Sequence, residues 1–205
     1  MLTKEKKKNK GFTLVELIVV LVILAILAAI LVPALLGYID KAKQQKSVRK
    51  MHDIQVAATS ALVEYYGIQK DEVTVKFNLR TYTVNGRTVS AYNITNWTFA
   101  ALQKQDSTGN DCSDAVVKSM LNYLESNKNT KDKVYTFKNY GNSTYGKKAS
   151  EVAKAGAEGL IILFGADYKI IMIQYSDLDG YLYTYDAKTS KIKTEKDGQF
   201  IAAGK

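Results

Sequence analysis

Residues 10–36 read KGFTLVELIVVLVILAILAAILVPALL and form the most apolar part of the chain. Within them, residues 17–36 are twenty consecutive side chains without a charge or a polar group. Counted from Phe12, the apolar run has 25 residues and is interrupted only by Thr13 and Glu16. As a helix it would be about 37 Å long, and a bilayer hydrocarbon core is about 30 Å thick. We therefore predict a membrane-spanning helix, because a buried strand of this length would be abnormal.

A basic segment precedes the apolar run. Residues 1–11 hold five lysines and one glutamate. A secretory signal peptide has the same layout, but this apolar run is too long for one and no small-residue cleavage site follows it. Residues 40–50 hold five more lysine or arginine side chains, so the positive-inside rule leaves the orientation open. Residues 67–205 read as a folded domain, which favours an N-terminus inside the cell and a C-terminus outside.

The composition excludes several kinds of site. The chain has 205 residues, a net charge of +9, and one cysteine, one histidine and one proline. One cysteine cannot form an intrachain disulfide or a multi-cysteine metal site, and one histidine excludes paired-histidine metal motifs. No segment resembles a nucleophile–base pair or a phosphate-binding loop. We therefore predict a protein that is not an enzyme and has no cofactor.

Glu16 is the one acidic residue in the apolar run. A charged side chain at the centre of a membrane span costs roughly 2.5–3.5 kcal/mol on insertion scales, and such residues are usually paired. Glu16 lies near the end of the span, so its carboxylate could reach the interface and have no further role. Alternatively, it neutralises a cation from another chain or from a newly formed N-terminus.

The sequence K-G-F-T-L-V-E at Lys10–Glu16, followed by the apolar run, resembles the class III signal of type IV prepilins and related pseudopilins. The resemblance implies that a prepilin peptidase cleaves between Gly11 and Phe12 on the cytoplasmic side and methylates the new N-terminus at Phe12. Cleavage there would remove five lysines and one glutamate, lowering the net charge from +9 by four, to +5.

The same resemblance implies an assembly role for Glu16. In the family's filament, this glutamate meets the N-terminal amine of Phe12 of a neighbouring subunit, so each buried charge is compensated. Removing one partner of a buried ion pair costs about 3–5 kcal/mol. The implied partners are further copies of the chain in a helical homopolymer, the membrane before assembly, assembly and retraction ATPases, and a platform protein.

Two further residues take their interpretation partly from the resemblance. Pro33 interrupts the apolar run at a position where many type IV pilins carry a proline, and with Gly37 it predicts a kink or a locally unwound segment. Many relatives in Gram-negative bacteria close a C-terminal loop with a disulfide, which Cys112 alone cannot form. This difference suggests a Gram-positive pilin.

Beyond the span, the pattern becomes amphipathic. Apolar side chains recur every three or four residues, at Val48, Met51, Ile54, Ala58, Leu62 and Tyr65. Polar residues lie off that stripe, at Lys50, Asp53, Ser60 and Glu64. We predict one helix from Phe12 to Tyr66 that stops at Gly67. Four segments follow: a leader at 1–11, a membrane or filament-core half at 12–37, an amphipathic half at 38–66, and a head at 67–205.

The head is predicted to be an antiparallel sheet with some helix. Strands Arg80–Val84 and Arg87–Tyr92 flank Asn85-Gly86, a strong type I′ hairpin signal. Residues 113–126 predict a helix with Ser113 as its N-cap. Four more strands are predicted at Leu160–Phe164, Lys169–Tyr175, Tyr181–Tyr185 and Lys191–Thr194. The fold class is therefore α+β, with the amphipathic helix packed on the sheet as in the type IV pilin fold.

Several weaker sites favour ordinary structural roles. Asp177 and Asp179 resemble part of a calcium loop but lack the later glutamate, so a hairpin turn is the better interpretation. His52 is predicted to be a surface or packing residue, and Cys112 to lie in a loop. The triplets that begin at Asn93, Asn96 and Asn142 match the glycosylation signal only weakly.

DNA binding is a further alternative. The lysine-rich segments 128–133, 147–154 and 188–196 could attract phosphate at low salt. Acidic side chains are interleaved with the lysines, which is more typical of an ordinary extracellular surface.

Three functional classes remain open from the sequence. The first is the major subunit of a type IV pilus, which serves adhesion, aggregation and surface motility. The second is a minor pilin, or a pseudopilin of a secretion or competence system. The third is a single-pass membrane protein with a ligand-binding head, in which the N-terminal match is a coincidence.

Overall fold

The computed structural model describes residues 11–68, 79–95, 111–126 and 144–205. The chain forms two compact units, Met1–Gln45 and Lys46–Lys205. Three helices are described: α1 at Leu14–Ile68, α2 at Asp111–Ser126 and α3 at Ala149–Lys154. Six strands are described: β1 at Arg80–Val84, β2 at Arg87–Thr95, β3 at Gly159–Phe164, β4 at Ile170–Ser176, β5 at Tyr181–Asp186 and β6 at Lys191–Lys196.

Helix α1 has the predicted length of 55 residues but lies two residues further along the chain. The predicted start at Phe12 is wrong because Thr13 caps the first turn, as described below. The predicted stop at Gly67 is also wrong, since Gly67 belongs to the last turn. A Cβ atom at Gly67 would meet nothing within 4 Å, and glycine tolerates the helical conformation at a modest cost.

The six strands form one antiparallel sheet in the order β1-β2-β3-β4-β5-β6. The predicted hairpin is confirmed, because Asn85 and Gly86 have φ angles of 48° and 74°, as a type I′ turn requires. The predicted meander is also confirmed. Strand β1 has the predicted bounds, and the other strands differ from prediction by one to three residues. The difference is largest at β2, which continues to Thr95 because its last four residues pair with β3.

Both faces of the sheet are covered within the unit Lys46–Lys205. On one face, Leu160, Ile162 and Phe164 of β3 pack with apolar side chains of α1 and α2. On the other face, Ile161 and Leu163 pack with side chains of α3, of the β1–β2 hairpin and of the segment around Phe200. Every residue of β3 is therefore buried, which is why this strand reads as a continuous apolar run rather than an alternating one.

The predicted apolar stripe of α1 is confirmed. Met51, Ile54, Ala58 and Leu62 are fully buried against the sheet, and Tyr65 is 9% exposed. Lys50, which was placed off the stripe, is not solvent-exposed as that placement implies. The Lys50 side chain is only 17% exposed, because its ammonium pairs with the buried Glu158.

The smaller helices correct two further expectations. Helix α2 begins at Asp111, so Ser113 lies inside the helix and is not its N-cap, and Cys112 lies in the helix rather than in a loop. Helix α3 was not predicted, since six residues are too few to show a helical period.

Asp186 joins the tip of the β1–β2 hairpin to the end of β5. Its side chain is 8% exposed and accepts hydrogen bonds from Asn85 Nδ2 at 2.7 Å, Arg87 Nη2 at 3.1 Å and the Lys188 N–H at 2.9 Å. Burial alone would raise the pKa of Asp186. The hydrogen bonds and the Arg87 charge outweigh burial and hold the pKa below its ordinary value of 3.8. The ionised carboxylate of Asp186 therefore stabilises the folded state.

We predict that Asp186→Asn lowers the stability of the detergent-solubilised chain by about 1–2 kcal/mol at pH 7. The folded-state pKa of Asp186 is depressed, so its stabilisation is present above 3.8 and is lost as the pH falls through the lower folded-state pKa. The stability difference between wild type and variant should therefore narrow in acid. Thermal melting of both proteins between pH 7 and pH 2 measures this difference. A difference that stays constant over the whole range would contradict the proposed ionic role.

Candidate processing and assembly site

The Gly11–Phe12 bond lies ahead of α1, outside any helix or strand. Both residues are exposed, and the Phe12 side chain is 87% exposed. A Cβ atom at Gly11 would meet nothing within 4 Å. The described fold therefore does not itself require glycine at residue 11.

Thr13 and Glu16 form a capping box at the start of α1. The Glu16 N–H donates to Thr13 Oγ1 at 3.3 Å, and the Thr13 N–H donates to Glu16 Oε2 at 2.8 Å. The Thr13 hydroxyl also donates to Glu16 Oε2 at 2.9 Å. This reciprocal pairing satisfies two N–H groups that the first turn of a helix leaves without partners.

The capping box was missing from the sequence prediction, although its signature is visible there. Thr13-Leu-Val-Glu16 is the pattern Ser/Thr-x-x-Glu ahead of an apolar run. Glu16 therefore has a role within its own chain that neither of the two earlier interpretations included. These hydrogen bonds do not compensate the negative charge of the carboxylate, because the N–H and O–H groups that donate to it are neutral.

The apolar part of α1 carries its side chains on all sides. Every residue from 17 to 36 is exposed, and the large apolar side chains in this range are each exposed by half or more. Among the described residues, α1 is the one helix long and apolar enough to cross a membrane. No described residue of the unit Met1–Gln45 covers this surface.

Pro33 and Gly37 both lie inside α1, whose helical conformation continues through them. Proline has no N–H, so the carbonyl of Ala29 lacks its usual hydrogen bond. A kink or local unwinding at this point stays a prediction.

Comparison with known protein families gives a match to the prokaryotic N-terminal methylation motif over residues 6–32. This match supports a type IV pilin-like prepilin. The match includes Gly11, Phe12 and Glu16, together with most of the apolar run. No curated protein and no solved structure is significantly similar to the chain.

The motif indicates how a chain that carries it is processed and where its precursor resides. It implies processing by a prepilin peptidase and handling by a pilus assembly machinery, and it fits a membrane-anchored precursor. The family is structural and not enzymatic. The match argues against the third functional class, in which the N-terminal resemblance was a coincidence.

The weaker candidate sites have other roles where they are described. Asp177 and Asp179 lie in the turn between β4 and β5, as predicted, and the two Asp177 oxygens accept hydrogen bonds from protein groups. His52 is exposed on α1. No group of three or more histidine, cysteine or acidic side chains within the described residues could hold a metal ion.

Two of the glycosylation triplets begin outside the described residues, at Asn96 and Asn142. Asn93 lies in β2, and its amide donates to the Tyr82 hydroxyl at 2.9 Å.

The lysine-rich segments are partly neutralised. Segment 128–133 lies outside the described residues. In the other two segments, ion pairs join Lys147 to Glu151 at 3.5 Å, Lys148 to Asp197 at 3.5 Å, and Lys193 to Glu195 at 2.9 Å. These acidic partners weaken the attraction that DNA binding would need.

We predict that Thr13→Val frays the first turn of α1, because the Glu16 N–H loses its acceptor. Amide hydrogen exchange of the full chain in micelles should show faster exchange at residues 14–16. The matched control is Thr59→Val, which makes the same chemical change inside the C-terminal third of α1, where the hydroxyl donates to the Gln55 carbonyl. Equal exchange at residues 14–16 in the wild type and Thr13→Val would show that the cap does not hold the first turn.

Proposed function

We propose that the chain is a structural subunit, the major pilin, of a type IV pilus. Subunits polymerise through α1 into a surface filament that serves adhesion, aggregation and surface motility. Residues 1–11 are the leader, 12–37 the filament-core segment, 38–66 the amphipathic segment and 67–205 the head, and α1 runs through both middle segments. The precursor spans the cell membrane once, and the mature subunit resides in the extracellular pilus.

The observation that carries this proposal is the combination at the N-terminus. The methylation motif extends into α1, and the apolar side chains of this part of α1 are exposed, since no described residue of the unit Met1–Gln45 covers them. Burying such a surface contributes about 1.5–3 kcal/mol for each large side chain. Lipid covers it before assembly, and the same segments of neighbouring subunits cover it afterwards. The helices therefore supply most of the cohesion of the filament.

A second, partly apolar stripe on α1 supports packing against other helices. Val56, Val63 and Tyr66 are 65%, 64% and 54% exposed, and the Tyr66 ring also packs on Tyr168, with centroids 5.5 Å apart. Together with His52 and Thr59, they recur at alternating intervals of four and three residues, which is the spacing of a helix–helix seam. Within the unit Lys46–Lys205, one face of α1 thus packs on the core of its own chain, and a narrower face is available to the α1 helix of a neighbouring subunit.

Glu16 sets the register of addition in this proposal. The amine formed at Phe12 of one subunit meets the Glu16 carboxylate of a neighbour, within surroundings that are otherwise apolar. A buried pair is a weak source of net stability, but leaving one charge alone is costly. The pair therefore selects the correct register among many apolar arrangements of similar energy.

A minor pilin or a pseudopilin of a secretion or competence system is the alternative, since it would share the same N-terminus. Pseudopilins of such systems tend to have smaller heads than residues 67–205, which favours the major pilin. Abundance separates the two: a major pilin dominates the protein that shearing releases from the cell surface, and a minor pilin or pseudopilin is a trace component.

We predict that Gly11→Val blocks processing, because a branched side chain replaces the open glycine at the cleaved bond. The variant should keep residues 1–11 and lack N-methylation, whereas the wild type begins at methylated Phe12. Intact mass and N-terminal sequencing of the membrane fraction measure both. Gly67→Val is the matched control, since Gly67 is equally open and lies far along the chain. Recovery of wild-type chain with its lysine leader intact would overturn the proposal.

We predict that Glu16→Ala inserts and is processed but fails to polymerise. Two variants separate the charge of Glu16 from its capping role. Glu16→Gln keeps a capping acceptor and loses the charge, and Thr13→Val loses the cap and keeps the charge. Loss of filaments in Glu16→Gln but not in Thr13→Val is expected, measured as the yield of sheared surface filaments. The opposite pattern would assign the defect to capping, and wild-type yield from Glu16→Ala would remove the pairing argument.

A further inference from the structure

Two buried carboxylates connect α1 to the sheet. Their contacts on α1 lie in the first turns that belong to the unit Lys46–Lys205. Ser47 Oγ donates to Asp177 Oδ2 at 2.9 Å, and Lys50 Nζ lies 2.6 Å from Glu158 Oε1. Asp177 is 5% exposed and Glu158 is 2% exposed. Ser47 and Lys50 are three residues apart, so both point from one face of the helix.

The carboxylates are themselves held by two tyrosines, one from β4 and one from β5. The Tyr183 hydroxyl donates to Asp177 Oδ2 at 2.8 Å, and the Tyr175 hydroxyl donates to Glu158 Oε1 at 2.6 Å. Tyr175 and Tyr183 are direct partners in the β4–β5 pairing, and their rings stack with centroids 5.8 Å apart. Burial raises the pKa of both phenols, so the hydroxyls remain donors at physiological pH. The two contacts to α1 are therefore parts of one connected network.

The rest of the α1–sheet contact is apolar, and three of its α1 residues are the alanines Ala57, Ala58 and Ala61. Apolar contacts of this kind are non-directional and resist sliding along the helix axis only weakly. Hydrogen bonds weaken steeply when their distance or angle changes. Burying charges is also expensive, and a well-packed apolar replacement is often no less stable. The network thus contributes directional resistance that the apolar contact lacks.

We propose that Ser47, Lys50, Glu158 and Asp177 form a mechanical clamp that resists displacement of α1 along its axis when the filament is under tension. The need for such a clamp rests on the proposed function, because in a filament held together by α1 any pull on the head passes through this helix. Ser47 and Lys50 precede Met51 and the other fully buried α1 residues, so the clamp lies at the end of the α1–sheet contact nearest to the pulled N-terminus.

Constant-force unfolding of the full chain in detergent tests the clamp, with the molecule held through residue 12 and residue 205. Glu158→Gln weakens the Lys50 pair, and Ser47→Ala removes a single hydroxyl. We expect unfolding to be about tenfold faster at a fixed force in Glu158→Gln and a few-fold faster in Ser47→Ala. If Glu158→Gln does not fold, Ser47→Ala still provides the test.

Asp186→Asn is the matched control, because Asp186 is also a buried carboxylate with a cationic partner but contacts the β1–β2 hairpin and not α1. It should lower the melting temperature and leave the forced unfolding rate within about twofold of wild type. If the clamp variants unfold under force no faster than Asp186→Asn, the clamp is rejected. The measurement uses single molecules, so a failure to form filaments would count against the proposed function and not against the clamp.

Discussion

Water solvates the surface of residues 17–36 only at a large cost, and most other properties of the chain follow from this constraint. Fifteen large aliphatic side chains lie in this segment, and each contributes about 1.5–3 kcal/mol when it is removed from water. None of them is buried within its own unit. The segment therefore needs cover from lipid or from other helices, and the proposed insertion followed by polymerisation would use both. The unit Lys46–Lys205, in contrast, packs around a hydrophobic core of its own.

The same constraint makes the polar groups at the start of α1 significant. A helix that begins at the edge of an apolar environment has backbone N–H groups that lipid cannot satisfy. The Thr13–Glu16 capping box satisfies two of them within the chain. Within the residues that the structure describes, no cation pairs with this carboxylate, and the amine that the proposed cleavage would create at Phe12 is the nearest cation in the sequence of the mature chain. Capping and intermolecular pairing are therefore compatible roles of one side chain.

Polar links of a different kind organise the head. Asp177, Glu158 and Asp186 are buried carboxylates, and each joins elements that are far apart in sequence. Such groups contribute less to net stability than apolar contacts of similar size, but they specify one arrangement. In this head they fix the approach of α1 and the position of the β1–β2 hairpin, while the two apolar layers supply the stabilisation.

Local patterns were enough to identify α1, all six strands, the hairpin at Asn85-Gly86 and the α+β class, because apolar periodicity and turn chemistry act over a few residues. The Gly11, Phe12 and Glu16 spacing was equally readable. The pairing of Lys50 with Glu158 could not be read, since the two residues are 108 positions apart and a lone lysine beside an apolar stripe normally faces water. The burial of Asp177, which was predicted only to lie in a hairpin turn, has the same origin. Which polar side chains are enclosed depends on the surfaces that meet when helix and sheet pack together, and no short segment of the chain contains that information.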